Sequence, residues 1–161
     1  NVLDVSYAKL SDVTFNIVDV GAAEILDIVK EMTSSDKFDP KLPESLSLSV
    51  EVDKNKLKYA LENIVAPVFK LNEGKPVKVI VSENKDDGIV DIEFTSPEIK
   101  SVPELYRRTI IETPKNEDLF NNEEEFNVFI SKEFIEVMNG SIGVANDGTG
   151  LRLSVMFYEN I

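Results

Sequence analysis

The side chains available for chemistry in this 161-residue chain are bounded first by two absences: it holds no histidine and no cysteine. That removes a Ser-His-Asp triad, a thiol nucleophile, a disulfide, a zinc–histidine site and a Cys-based metal site. A phosphoacceptor histidine within the chain is removed by the same fact. What remains is carboxylate and cation chemistry. Acids gather in Asn116-Glu117-Asp118 and Asn122-Glu123-Glu124-Glu125, but no D-x-D-x-D-G-x-x-x-x-x-E loop accompanies them, so calcium binding is not expected. Asp147-Gly148 has the composition of a turn rather than of a ligand. Arg107 and Arg108 form an adjacent pair able to meet an acidic partner, and Lys70 follows an apolar helical pattern.

Positioning these residues requires elements that periodicity supplies. Phe126, Phe129, Ile130, Phe134, Val137 and Met138 recur at three- and four-residue spacing, which predicts one buried helix face. Asn139-Gly140 ends that helix, with Gly140 expected in the left-handed C′ position. Strands over 141–145 and 151–158 come next, joined by a turn at 146–150. Upstream, 13–18 is β-rich and 22–34 predicts a helix burying Ile25, Ile28, Val29 and Met32, with Asp19 in its N-cap region. Residues 35–44 hold two prolines and read as loop. Leu46, Leu48 and Val50 alternate with Ser47, Ser49 and Glu51, a half-wet strand. Asp53 opens a helix whose inner side is Leu57, Leu61, Ile64, Val65 and Val68. Strands over 77–82 and 89–95 flank the Asp86-Asp87-Gly88 turn. Pro97, Pro103 and Pro114 punctuate the next stretch, with a short helical patch over 103–108 and a mobile acidic loop over 116–124. The order predicts an α/β (α+β) two-layer sandwich: a mixed, mostly antiparallel sheet with about three helices on one face and the other face open.

Length limits the chain to one sizeable core. Hydrophobic residues at 42% and charged residues at 29% are ordinary for a globular domain, whereas a formal charge of −13 is not. Nucleic acids and anionic membranes are bound through Lys and Arg, so neither is an expected partner; a solvated acidic surface is the ordinary meaning of such a charge. No apolar run approaches about 18 residues and no signal peptide is visible, so a cytoplasmic location without membrane insertion is expected. A start at Asn1 rather than Met is expected of a fragment of a longer protein.

The stretch 125–157 resembles the C-terminal part of the ATP-binding domain of sensor histidine kinases. There a GLGLAISK helix start leads to a hairpin of pattern mxGxIxVxSxxGxGTxFxI. Ile130-Ser131-Lys132, Met138, Gly140, Ile142, Val144, Gly148 and Gly150 match it, while Glu125 and Asn127 stand where glycines open the helix. Asp53, Leu57, Leu61, Asn63, Ile64 and Lys70 likewise match DxxxLxxVLxNLLxNAIKF. The resemblance runs from Asp4 to Phe157. It implies residues 1–12 as the end of a dimerisation-type helix and linker, and 13–161 as the histidine-kinase ATPase-like domain.

The same resemblance implies a degenerate nucleotide site at Asn63, Pro67, Lys70, Ser96, Glu98, Lys100 and Leu151. Pro67 stands where the family's magnesium-ligating asparagine would be, and a pyrrolidine ring offers no oxygen. Ser96, Glu98 and Lys100 fall on the Asp, Gly and Gly of DxGxG, and Leu151 on the hairpin threonine of the adenine network. Acids replace the glycine-rich lid that would present backbone N–H groups to phosphates. No catalytic residue, no metal ligand and no cofactor are therefore expected, with ATP-Mg binding weak or lost. The implied role is a pseudokinase module in two-component or phosphorelay signalling. It would meet a dimerisation domain or a response-regulator receiver, within a homodimer to which Val2, Leu3, Val5 and Tyr7 contribute. Two alternatives accompany this expectation: an active histidine kinase domain with atypical ATP contacts, and the ATPase-like domain of a histidine phosphotransferase whose histidine precedes Asn1.

Overall fold

The computed structural model describes residues 13–32, 38–41, 45–73, 75–112, 120 and 122–159. Strand β1 (Val18–Gly21) runs directly into helix α1 (Ala22–Met32); strands β2 (Phe38–Lys41) and β3 (Ser49–Val52) come next, then helix α2 (Lys54–Leu71). Strands β4 (Val77–Asn84) and β5 (Ile89–Ser96) form a hairpin. Helix α3 (Glu104–Tyr106) widens into a π-helical turn over Arg107–Ile111, and helix α4 (Glu123–Val137) leads to strands β6 (Ser141–Asn146) and β7 (Leu151–Tyr158). The main sheet has five strands in the order β2-β4-β5-β7-β6, parallel between β2 and β4 and antiparallel elsewhere. β1 and β3 form a separate antiparallel ribbon.

Alternation decides which face is buried. Val77, Val79 and Val81, Val90, Ile92 and Phe94, and Leu151, Leu153, Val155 and Phe157 point into one core with the inner sides of α1, α2 and α4. Lys78, Ser82, Glu93, Thr95 and Arg152 lie on the opposite face, exposed or half-buried. The helix starts are chemically specified. Asp53 caps α2 by accepting from the N–H of Lys56 at 3.0 Å, and Asn122 caps α4 by accepting from the N–H of Glu125 at 2.9 Å. The ribbon is tied to the main sheet by one carboxylate: Glu83 of β4 accepts from the N–H of Ser47 at 2.8 Å and of Leu48 at 2.9 Å. Those N–H groups hold Glu83 below the usual carboxylate range although burial opposes them.

Several expectations need correction. Residues 38–41 are a strand, not loop; Pro40 is tolerated because β2 lies at the sheet edge, where a missing N–H breaks no central ladder. The first strand sits at Val18–Gly21 rather than 13–18, because its pairing with β3 sets Asp19 opposite Glu51 and Val20 opposite Val50. Asp19 is therefore a strand residue and not a cap. Strand β3 begins at Ser49, later than Leu46. Glu123 and Glu124 belong to α4 and not to a loop, while 113–119 lies outside the described residues. Val137 is 53% exposed rather than part of the buried face.

The stop after α4 also works differently. Asn139 takes the left-handed conformation with φ 62. Gly140 is needed for space: a Cβ there would lie 2.5 Å from Cε1 of Phe157.

Candidate functional site

The residues singled out by sequence fall around the C-terminal half of α2 and the ends of β5 and β7. Asn63 is half-buried, and its Nδ2 donates to the carbonyl of Tyr59 at 2.9 Å. One turn on, Pro67 is buried within α2; lacking an N–H, it leaves the Asn63 carbonyl without its usual helical donor. Lys70 points outward and pairs with Glu124 of α4 at 2.8 Å, its side chain 74% exposed.

Past the end of α2, Asn72 is buried and bonded on both sides. Its Nδ2 donates to the carbonyls of Lys75 at 2.6 Å and Pro76 at 3.2 Å, and its Oδ1 accepts from Ser96 Oγ at 2.5 Å. Ser96 ends β5 directly opposite Leu151, the first residue of β7. Ser96, Leu151 and Asn72 are thus brought together in the core. Glu98 and Lys100 are not: the chain turns away after Pro97, Glu98 pairs with Lys75 at 3.3 Å in solvent, and Lys100 is exposed. A depression of about 250 Å³ beside Ser96 is lined by Lys78, Thr95 and Arg152 of the opposite sheet face and by Thr149 and Gly150.

Two residues that sequence reasoning missed, Asn72 and Tyr106, complete the site together with the Arg108–Glu125 pair. Tyr106 is fully buried, and its hydroxyl donates to the carbonyl of Ile64 at 2.6 Å, bracing α3 against α2. Burial, with the charge of Glu124 as the next cause, pushes its phenol far above the usual range, so it stays a neutral donor. Arg108 of the π-helical turn pairs with Glu125 at 3.2 Å, with side chains 28% and 7% exposed. Both Glu124 and Glu125, in the first turn of α4, therefore face a cation across the site. The signal for Tyr106 was an aromatic in a short helix bounded by Pro103; Asn72 left none, and Arg108, readable as able to meet an acidic partner, meets Glu125 of this same chain.

Arranged this way, Tyr106, Ser96, Asn72, Lys70 and Arg108 each have a partner within the chain, while the Asn63 carbonyl lacks its helical donor. Phe120 fills its flank, 5.5 Å from the ring of Phe126 and 4.9 Å from that of Phe129. Among the described residues no three acidic, histidine or cysteine side chains are grouped to hold a metal ion, and no helix is long and apolar enough to cross a membrane.

No family model and no curated protein matches the chain. Solved structures do. The Acinetobacter baumannii histidine kinase AdeS superimposes with a TM-score of 0.62 at 12% identity, over 96% of this chain and 74% of that one. The ATP-binding domain of PrrB from Mycobacterium tuberculosis gives 0.61 at 16% identity, over 91% and 99%. Full-length ShkA in complex with AMPPNP gives 0.65 at 19%, over 98% of this chain and 35% of that one. At these identities the likeness establishes the fold, which is that of histidine kinase ATP-binding domains.

Proposed function

We propose that this chain, which shares the fold of histidine kinase ATP-binding domains, has kept that fold as a signalling module and has given up its nucleotide chemistry. The observation that carries the reading is that the polar groups of the site are spent on each other. Tyr106 is committed to the Ile64 carbonyl, Ser96 to Asn72, Lys70 to Glu124 and Arg108 to Glu125. ATP-Mg would have to separate the two ion pairs and then face the released carboxylates, which repel a triphosphate. Pro67 supplies no ligand to a hydrated magnesium ion in return. On this reading the module works through its surfaces, meeting a dimerisation domain or a response-regulator receiver within two-component or phosphorelay signalling.

Thermal melting with and without millimolar ATP-Mg tests it. A native-state ligand at 100 times its Kd adds about 2.7 kcal/mol, several degrees for a domain of this size. No shift is expected. A shift of that size, with calorimetric binding competed by ADP, would restore the alternative of an active kinase domain with atypical contacts.

A further inference from the structure

Strand β6 forms one edge of the five-stranded sheet and pairs with β7 on one side. Among the described residues no backbone hydrogen bond reaches its other side. Edge strands normally carry protection against pairing with another chain: a lysine, a proline, a bulge or very short length. β6 reads Ser-Ile-Gly-Val-Ala-Asn, six residues in unbroken register with β7, without charge or proline. Gly143 in its middle is not explained by the fold around it. Its φ is not positive, and a Cβ built on it meets no atom within 4 Å. Glycine inside a strand weakens that strand and marks places where another backbone approaches closely.

We propose that β6 pairs antiparallel, edge to edge, with β6 of a second copy of this chain, centred on Gly143. That register sets Ile142 opposite Val144 twice and Ser141 opposite Ala145 twice. Ile142 and Val144 are half-buried and packed against the core, so each copy covers the apolar surface the other leaves open, in β-branched cross-strand pairs. On the opposite face only Ser141, Gly143 and Ala145 meet, and none obstructs the approach. A second copy fits better than a foreign strand because β6 complements itself about Gly143. It also carries no charge with which to select a basic or acidic segment. The joined edges alone bury less than the roughly 1,200–2,000 Å² of a standard interface, and two chains of −13 repel. The association is therefore weak and strengthens as salt screens that repulsion. None of this depends on whether the nucleotide site is closed.

The chain has no cysteine, which gives a direct test. In the proposed pair, Gly143→Cys puts two thiols on opposed positions about 4.5–5.5 Å apart between Cα atoms, within disulfide reach. Under mild oxidation it should cross-link at least about tenfold faster than Lys85→Cys in the β4–β5 turn, a factor equal to about one decade of effective association. Sedimentation equilibrium of the 161-residue chain should show a dimer that tightens with salt. Gly143→Lys, whose side chain enters open space, should weaken it by about tenfold or more through like charges placed opposite, with unchanged melting. Equal cross-linking rates, a monomer at every concentration and salt, or dimerisation indifferent to Gly143→Lys would each overturn the proposal. So would β6 amides protected from hydrogen exchange in the monomer, which would show the edge covered by another part of the chain.

Discussion

Asp91 offers a quantitative test of how the open sheet face is built. It lies on β5 between Ser82 of β4 and Met156 of β7, and its Oδ1 is buried without a hydrogen-bond partner among the described residues. Burial, then the charge of Glu93, pushes its carboxyl up from the usual 3.8 to about 6, against the opposing pull of Arg152. A carboxyl whose folded pKa lies above its unfolded one favours the neutral form in the folded state. Its ionisation therefore costs nothing below about pH 4, costs progressively more as pH rises, and reaches the full penalty above about pH 6. Two pK units at about 1.4 kcal/mol each set a ceiling near 3 kcal/mol; solvent reaches this half-buried group, and screening reduces the figure to about 1–2 kcal/mol. Asp91→Asn removes the charge and keeps the shape. At about pH 7.5 it should raise the melting temperature by about 2–6 °C, and at about pH 4 it should change nothing. Calorimetric melts of both proteins at the two pH values decide it. A variant no more stable at pH 7.5, or one equally stabilised at pH 4, would refute the reasoning.

Two further outcomes rest on single contacts. Asp53→Ala should cost about 1–2 kcal/mol as a lost N-cap, measured by denaturant unfolding. Burial pushes the Asp53 carboxyl up, but the N–H groups of Lys56 and Asn16 and the charge of Lys56 outweigh it and hold the group low. Its contribution is thus present at neutral pH and lost on acidification, so the gap between wild type and variant should close as pH falls; a gap independent of pH would count against that account. Tyr106→Phe should destabilise the domain by about 1–2 kcal/mol, because its hydroxyl bonds within the core. An unchanged melting temperature would mean that this contact does not brace α3.

The parts of the fold legible in sequence were those with a clean period. The inner face of α2 and the alternation of β7 stand as Leu57 through Val68 and Leu151 through Tyr158 imply. β2 was not legible because four residues around a proline carry no period; only its parallel neighbour β4 makes them a strand. The left-handed stop falls at Asn139, and crowding by Phe157, not backbone conformation, calls for glycine at Gly140. In the candidate site, Ser96 and Leu151 meet because the β5–β7 register joins them; the family resemblance set them in one network, and neither hairpin did. Glu98 and Lys100 stand apart because the chain turns away at Pro97, and motif spacing carries no information about that turn. The partners of Tyr106, Asn72 and Arg108 are set by tertiary contact.

The placement of Asp53 has a mechanical consequence. Its Oδ2 accepts from the N–H of Asn16 at 2.7 Å, its Oδ1 caps α2, and its own N–H meets Sδ of Met138 at the end of α4 at 3.3 Å. Phe15, the next residue toward the chain start, sets its ring edge-on to Phe134 at 5.4 Å. Phe15 and Asn16 are thus fastened to the α2–α4 pair, through Phe134 and Asp53, and not to the rungs of the five-stranded sheet. A displacement of that segment acts on the start of α2 through the Asn16–Asp53 bond, because the same carboxylate caps the helix.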